Sequence, residues 1–196
     1  MKKIFYIMGR SGSGKDTIYK ELLKSEKLQN LNLKEIILHT TRPMRLGETQ
    51  GKEYYFVSDE EFEYLKSWNK FIETREYNVV DGIWKYGTCE DSLKDDGIYI
   101  GIGTLISYEE LKKRFPECTY PVYISVEENI LYRRTVERAN GDSKQNIKEI
   151  QRRFNADSKD FSEENILRLN IEKRFENNKN LNDCVKEIIE YILAVV

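Results

Sequence analysis

Hydrophobic residues along this chain alternate between short continuous runs and helical spacing. The run from Lys3 to Met8 is apolar and ends at a glycine, and Ile18 and Leu22 then recur on one helix face. The predicted order is strand, glycine-rich loop, helix. Strands and helices alternate again in the second half of the chain, which favours a parallel sheet covered by helices on both faces, since parallel strands need long crossover connections. The pattern therefore predicts an α/β fold.

Other elements follow from the same reasoning. Further strands are predicted at residues 36–38, 97–102, 120–126 and 167–171, and further helices at 59–68, 109–115 and 181–196. Residues 71–88 have the pattern of short strands joined by the turn Asp81-Gly82, which predicts a small β-rich insertion. Two charged helices after Glu127 are predicted to form a hairpin rich in arginine.

Composition narrows the class of protein. The 196 residues, 39% hydrophobic and 34% charged, suit one folded domain. A net charge of −2 gives no general attraction to nucleic acid or membranes, so neither partner is expected. No apolar run reaches the roughly 18 residues that cross a bilayer, and we expect a cytoplasmic location. The three cysteines and one histidine lack metal-ligand spacing, so we expect reduced thiols and no zinc site.

The glycine-rich loop has the sequence of a phosphate cradle. It reads Gly9-Arg10-Ser11-Gly12-Ser13-Gly14-Lys15 and lies between the first strand and the first helix. Glycines let backbone amides converge on an anion, the helix N-terminus adds partial positive charge, and Lys15 can reach the β and γ phosphates. The residues predicted to bind ATP here are Gly9, Ser11, Gly12, Ser13, Gly14, Lys15, Asp16 and Thr17.

Asp16 stands where such loops usually have Ser or Thr. A carboxylate binds hard cations well but repels phosphates unless a cation lies between them. We therefore predict that Asp16, with Thr17, binds or orders the Mg²⁺ that accompanies ATP. The alternative is that Asp16 only stabilises the helix N-terminus through the helix dipole.

A second polar segment, residues 40–56, combines arginine with tyrosine. Arg42 and Arg45 are three residues apart, and Tyr54 follows. Paired guanidinium groups can bind a phosphate bidentately, and tyrosine hydroxyls can complete the site. From spacing alone, a solvated surface loop is an equally good interpretation.

The same segment resembles the monophosphate-binding stretch of guanylate kinases, T-T-R-x-x-R-x-G-E-x-x-G-x-x-Y-x-F, at every specified position. Phe71-Ile72-Glu73 and Tyr86-Gly87-Thr88 are similar to the F-x-E and Y-G-T elements of that family. The resemblance covers about residues 3–170 and implies a three-layer P-loop kinase fold. It also implies a single domain, 1–196, with a core at 1–37, 92–132 and 154–196, a monophosphate-binding insertion at 38–91 and a helical lid at 133–153.

The resemblance implies a reaction, the transfer of phosphate from ATP to GMP or dGMP with Mg²⁺. We expect a monomer or homodimer. It assigns GMP binding to Arg42, Arg45, Tyr54, Glu73, Tyr86 and Thr88. It assigns catalysis to Lys15, Arg134, Arg138 and Arg153, and contact with the ATP base to Asn170. A carboxylate such as Glu73 can accept from both N1–H and the 2-amino group of guanine.

Three departures from the family pattern keep alternatives open. Leu38 stands where a base-contacting serine is common, and Gly101 and Gly103 stand where two aspartates are usual. The Gly-Lys-Asp ending of the phosphate loop is similar to that of ribose 1,5-bisphosphate kinases, which use a sugar phosphate as acceptor. The alternatives are a kinase for another acceptor and a non-catalytic binding module.

Overall fold

The computed structural model describes the backbone of residues 1–79, 82–140 and 147–196, with their side chains except those of 138–140 and 147–153. The described strands are β1 (Lys3–Met8), β2 (Lys34–Glu35), β3 (His39–Thr40), β4 (Tyr55–Phe56), β5 (Phe71–Val79), β6 (Gly82–Cys89), β7 (Ile98–Gly103), β8 (Thr119–Ser125) and β9 (Arg174–Glu176). The described helices are α1 (Lys15–Lys24), α2 (Glu26–Gln29), α3 (Asp59–Ser67), α4 (Leu105–Arg114), α5 (Glu128–Asn140), α6 (Ile147–Asp160), α7 (Glu163–Arg168) and α8 (Leu181–Val195).

The strands form two sheets. The larger is parallel throughout, in the order β2-β7-β1-β8-β9, and β1 is its central strand. The smaller has the order β4-β3-β6-β5, and its longest pairing is the antiparallel hairpin of β5 and β6. This arrangement confirms the predicted α/β fold with a mainly parallel sheet and a small β-rich part.

Helices cover both faces of the parallel sheet because β1 sends alternate side chains to opposite sides. Phe5 and Ile7 pack with residues of α1 and α8, whereas Ile4, Tyr6 and Met8 pack with residues of α4 and α7. All five side chains are completely buried. Since burying one large apolar side chain stabilises a fold by about 1.5–3 kcal/mol, β1 is firmly anchored, and so is the loop that follows it.

The last strand is not where the sequence pattern placed it. Residues 167–171 were predicted as a strand, but the chain forms α7 across Glu163–Arg168, and the strand β9 follows at Arg174–Glu176. The Ser162 hydroxyl accepts a hydrogen bond from the Asn165 amide and caps α7, and two glutamates occupy its first turn. Leucine alternates with polar residues after Ile166, and this pattern is typical of a strand. The capping residue Ser162 and the glutamates that follow it favour a helix instead, and the helix forms.

Two other predicted boundaries also shift. Residues 36–38 were predicted as a strand but connect two short strands, β2 before them and β3 after them. The chain passes from the large sheet to the small one at this point. The amide of Ile36 still donates to Ile100, and the carbonyl of Leu38 accepts from Tyr55. The helix expected to start at residue 109 begins at Leu105, because the Thr104 hydroxyl caps it by accepting from Ser107.

Within the described ranges, no helix is long and apolar enough to cross a membrane. The cysteines are free, Cys89 and Cys184 buried and Cys118 partly so. Free, separate thiols agree with the expectation of reduced cysteines.

An ion pair joins α4 to α7 and makes part of the stability depend on pH. Arg168 donates two hydrogen bonds to Glu109, at 2.7 and 2.9 Å, and Lys113 lies 3.2 Å from the same carboxylate. Arg168 first and Lys113 second lower the pKa of Glu109 from 4.5 to about 2. A carboxyl whose pKa is lower in the folded state stabilises the fold above its unfolded pKa and loses that effect as the pH falls.

We predict that Glu109→Gln lowers the free energy of unfolding at pH values above 4.5, and that its difference from the unmodified protein shrinks towards pH 2. Urea unfolding followed across this pH range measures the difference. Glu110→Gln, which changes the neighbouring and more exposed carboxyl, is the matched control. A difference that is the same at both ends of the range would contradict the prediction.

Candidate active site

The loop between β1 and α1 has the geometry of an anion cradle. Gly12 and Gly14 both have φ of +83°, a conformation that glycine adopts without strain, and Gly14 is the N-cap of α1. Such a backbone directs successive amides to one concave side, at the positive end of the helix dipole. The hydroxyl oxygen of Ser13 is buried with no hydrogen-bond partner among the described residues, so a bound anion could satisfy it.

The charged residues at the start of α1 differ in exposure. Lys15 is partly buried, and its ammonium lies 3.6 Å from the carboxylate of Asp16, whose side chain is 75% exposed. Thr17 is exposed as well. Among the described residues, no group of three or more His, Cys, Asp or Glu is placed to hold a metal ion. The Asp16 carboxylate could supply one oxygen ligand to a divalent cation at this loop.

An asparagine that the sequence patterns did not reveal supports the cradle. The buried Asn177 donates from its amide to the Ser13 carbonyl at 2.8 Å. A Cβ added to Gly14 would lie 2.6 Å from the Asn177 side-chain nitrogen, so this glycine is needed for close approach. Asn177 comes directly after β9, and a polar residue at that position could have been recognised as part of the site. The sequence analysis missed it because it predicted the last strand at residues 167–171.

Asn170, predicted near the ATP base, lies elsewhere. It borders a groove together with Thr119 and Pro121 at the beginning of β8. Thr119 pairs with Ile4 near the start of β1, whereas the phosphate loop leaves the other end of that strand. The assignment of Asn170 is therefore corrected: it rested on a strand at 167–171, and the asparagine beside the phosphate loop is Asn177.

Helix α6 is joined to the phosphate loop. The guanidinium carbon of Arg10 lies 4.6 Å from the centre of the Phe154 ring, and Arg10 also donates to the Ser158 hydroxyl. The backbone amide of Ser11 donates to the Asp157 carboxylate at 2.5 Å. These contacts were not foreseen from the sequence. They place the C-terminal half of α6, just beyond the predicted lid region 133–153, against the cradle.

The three predicted lid arginines differ in how far the structure describes them. Arg134 lies half-buried on α5, which packs on the loop: a Cβ at Gly12 would lie 2.9 Å from the Thr135 hydroxyl oxygen. The side chains of Arg138 and Arg153 lie outside the described residues. Their helices, α5 and α6, are described.

Of the four side chains of the insertion predicted to bind phosphate, Arg42, Tyr54 and Tyr86 lie together, and Arg45 does not join them. Arg42 is buried, with 4% of its side chain exposed, and pairs with Glu48 at 2.7 Å. Its guanidinium carbon lies 5.3 Å from the Tyr54 ring centre, and the Tyr54 and Tyr86 rings are 5.8 Å apart. Arg45 is exposed on the rim and uses its backbone amide to bind Glu48.

The charges around Arg42 explain why a buried guanidinium is tolerated. Burial works to lower the pKa of Arg42, but the hydrogen bond and charge of Glu48 outweigh it, so this pKa is above its ordinary value. The bond from Arg42 is in turn the main reason that the pKa of Glu48 is lowered. Arg42 therefore remains a cation facing the two tyrosines.

The charge at the start of α1 acts on the arginine-tyrosine cluster. Burial and then the nearby Tyr86 raise the pKa of Tyr54, the Arg42 cation opposes this shift, and the negative charge of Asp16 adds to it. Tyr54 is therefore within electrostatic range of the first turn of α1.

The two residues predicted to touch the acceptor base also meet. Glu73 and Thr88 pair across β5 and β6, and the Thr88 hydroxyl donates to Glu73 Oε1 at 2.6 Å. Arg75, which the sequence patterns did not single out, donates from Nε to Glu73 Oε2 at 3.0 Å and from Nη1 to the Thr104 hydroxyl at 3.2 Å. A buried carboxylate is thus held between a hydroxyl and a guanidinium.

Comparison with known proteins shows which family this chain belongs to. The sequence model of the family described as Guanylate kinase matches residues 1–95. A guanylate kinase of Prochlorococcus marinus (strain MIT 9312) is 30% identical over 196 residues, which is 97% of this chain and 97% of that protein. The chain belongs to the guanylate kinase family.

Other guanylate kinases show the same relationship. A relative from Buchnera aphidicola subsp. Acyrthosiphon pisum (strain APS) is 32% identical over 140 residues, 69% of this chain and 64% of that protein's length. The crystal structure of guanylate kinase from Anaplasma phagocytophilum superposes with a TM-score of 0.68 at 21% identity, covering 98% of this chain and 85% of that one. The resemblance and the P-loop kinase fold predicted from the sequence are both confirmed.

The structure explains the two glycines that replace the usual guanylate kinase aspartates. Tyr6 on β1 pairs with Gly101 on β7, and a Cβ at Gly101 would lie 2.8 Å from the Tyr6 ring. A Cβ at Gly103 would overlap the Tyr6 hydroxyl oxygen. The ring of Tyr6 therefore occupies the space of both missing side chains. Burial raises the pKa of Tyr6 to about 12, so its hydroxyl stays neutral there.

We predict that Gly103→Ala destabilises the protein by about 2 kcal/mol, because overpacking a closed site costs about 1–3 kcal/mol. Removing the hydroxyl in Tyr6→Phe should relieve most of this cost. Urea unfolding of the two single variants and the double variant measures the coupling. Strictly additive effects would show that Tyr6 and Gly103 do not compete for the same space.

Proposed function

We propose that this protein transfers the γ-phosphoryl group of ATP to the phosphate of GMP or dGMP. The observation that carries the proposal is the cluster of the buried Arg42 with Tyr54 and Tyr86, near enough to the start of α1 that the charge of Asp16 acts on Tyr54. Two anion sites of different chemistry on one cleft suit a reaction that joins two phosphates. The buried Glu73 and Thr88 supply a polar end for the base.

Positioning and charge account for the chemistry, since phosphoryl transfer asks little covalent work of a protein. Loop amides and Lys15 hold the donor phosphates, and Arg42 holds the acceptor phosphate with the two tyrosines. Arg134, with Arg138 and Arg153 as further members, would stabilise the charge on the transferred group and exclude water. Mg²⁺, brought as part of the MgATP substrate, would neutralise phosphate charge, with Asp16 and Thr17 as its nearest protein groups.

Two features weigh against the alternative functions. A purine offers N–H donors to the buried Glu73 carboxylate, whereas a sugar phosphate offers it only hydroxyl groups or a further negative charge. A binding module has no need for a cradle with Lys15, and this chain keeps both. We also propose the division into core, insertion and lid described above, a cytoplasmic location, and a monomer or homodimer.

The acceptor is tested by an ADP-release assay with GMP, dGMP, AMP, UMP and ribose 1,5-bisphosphate. We expect GMP to give the highest kcat/KM, with AMP lower by at least ~10²-fold because its 6-amino group mispairs in a site built for guanine. Faster turnover of ribose 1,5-bisphosphate than of any nucleotide would overturn the acceptor and leave the kinase reaction standing. Absence of ADP release with every acceptor would support the binding module instead.

The phosphate loop is tested by Lys15→Met, which removes the charge that reaches the donor phosphates. We expect kcat to fall by at least ~10²-fold, the usual cost of losing one group that stabilises transition-state charge. The melting temperature should stay unchanged, since Lys15 contributes little to the core. Lys20→Met on the exposed side of α1 is the control and should keep full activity. Equal activity of both variants would remove Lys15 from the mechanism.

A further inference from the structure

A guanidinium group lies inside the proposed acceptor pocket. The Arg75 side chain is 12% exposed, and the Glu73 side chain beside it is 2% exposed. Arg75 pairs across the hairpin with Tyr86, next to the pairing of Glu73 with Thr88. It therefore lies between the residues proposed for the base and those proposed for the phosphate. A buried ion pair is costly to desolvate, so its presence in a substrate pocket calls for an explanation.

Arg75 changes what Glu73 can offer to a base. Oε1 of Glu73 accepts from Thr88 and Oε2 accepts from Arg75 Nε, so each oxygen already has one donor. Guanine presents its N1–H and 2-amino group in the same geometry as a guanidinium presents its N–H groups. Arg75 thus occupies one acceptor position of Oε2 and competes with the 2-amino group of guanine for that oxygen.

The other groups around this end of the cleft leave a gap in the recognition of guanine. Leu38 is buried and apolar, so it donates nothing to the C6 oxygen. Gly101 and Gly103 have no side chains, and Tyr6 fills their space. Arg75 has five N–H groups: Glu73 and Thr104 accept from two of them, Tyr77 is a further hydrogen-bond partner, and at least one N–H remains for a ligand. It can therefore supply the donor that residue 38 lacks.

We propose that Arg75 determines the base specificity of the acceptor site, donating to the C6 oxygen of a purine while its bond to Glu73 makes the 2-amino group dispensable. The acceptor class is then the 6-oxopurine nucleoside monophosphates, hypoxanthine as well as guanine nucleotides. Adenine is rejected because its 6-amino group would place a donor against the guanidinium. This inference rests on the proposed function and refines the substrate of the same site.

The alternative is a structural role. Arg75 connects β5 to Thr104 at the N-cap of α4, so it could serve only to hold the hairpin against the core. A structural bridge would change turnover of all acceptors by the same factor. A specificity residue changes their ratio, which makes the ratio the decisive measurement.

The experiment compares kcat/KM for GMP, IMP and AMP in the unmodified protein and in Arg75→Ala. We expect IMP within ~10-fold of GMP in the unmodified protein, since loss of one weakly used contact costs little, and AMP lower by at least ~10²-fold. In Arg75→Ala, Glu73 becomes free to accept from both N1–H and the 2-amino group. The ratio of GMP to IMP should then rise by at least ~10-fold.

Two results would overturn the inference: rejection of IMP by more than ~10³-fold in the unmodified protein, or an unchanged GMP to IMP ratio in Arg75→Ala. If Arg75→Ala does not fold, Arg75→Lys replaces it, and we expect a smaller rise in the ratio because one charged donor remains. Arg168→Ala, which removes an exposed guanidinium on α7, is the control and should leave the ratio unchanged.

The outcome for GMP separates this inference from the function on which it rests. If GMP is phosphorylated and IMP is not, the role of Arg75 is wrong and the proposed function stands. If no nucleoside monophosphate is phosphorylated, both are wrong.

Discussion

The complete burial of β1 at the centre of the parallel sheet is the constraint on which the rest of the site depends. Its side chains are locked between helices on both faces, so the chain leaves the sheet at Met8 in a fixed place and direction. The glycines that follow can then turn their amides towards an anion at the start of α1. Close contacts with α5, α6 and Asn177 hold this loop in place.

The cleft combines cations with carboxylates that hold them. Arg42 is paired with Glu48 and Arg75 with Glu73, and Lys15 lies beside Asp16. Pairing lets a guanidinium stay charged while buried, and it fixes the direction of the planar group before a substrate arrives. Electrostatic preorganisation of this kind is what a phosphoryl-transfer site needs, since charges placed beforehand need no rearrangement during the reaction.

Sequence reasoning succeeded where the signal is local. The strand, loop and first helix were foreseen from an apolar run followed by glycines, and the helix at α3 and the β5–β6 hairpin were placed nearly correctly. It failed near the C-terminus, where a leucine alternation imitated a strand while Ser162 and two glutamates set a helix. Because of that single error, the last strand was predicted too early in the chain, and Asn170 was chosen as the asparagine near the phosphate loop instead of Asn177.

The sequence by itself determined the α/β order, the phosphate loop and the arginine-tyrosine segment, because these depend on residue types at short, fixed spacings. Tertiary structure alone decided that Tyr6 fills the space of Gly101 and Gly103, and that Arg75 reaches Glu73 and Thr104. It also decided that Asn177 supports Ser13 across 164 residues of chain. Contacts between segments far apart in sequence leave no periodic pattern, since they are set by how strands pair and how helices pack on them.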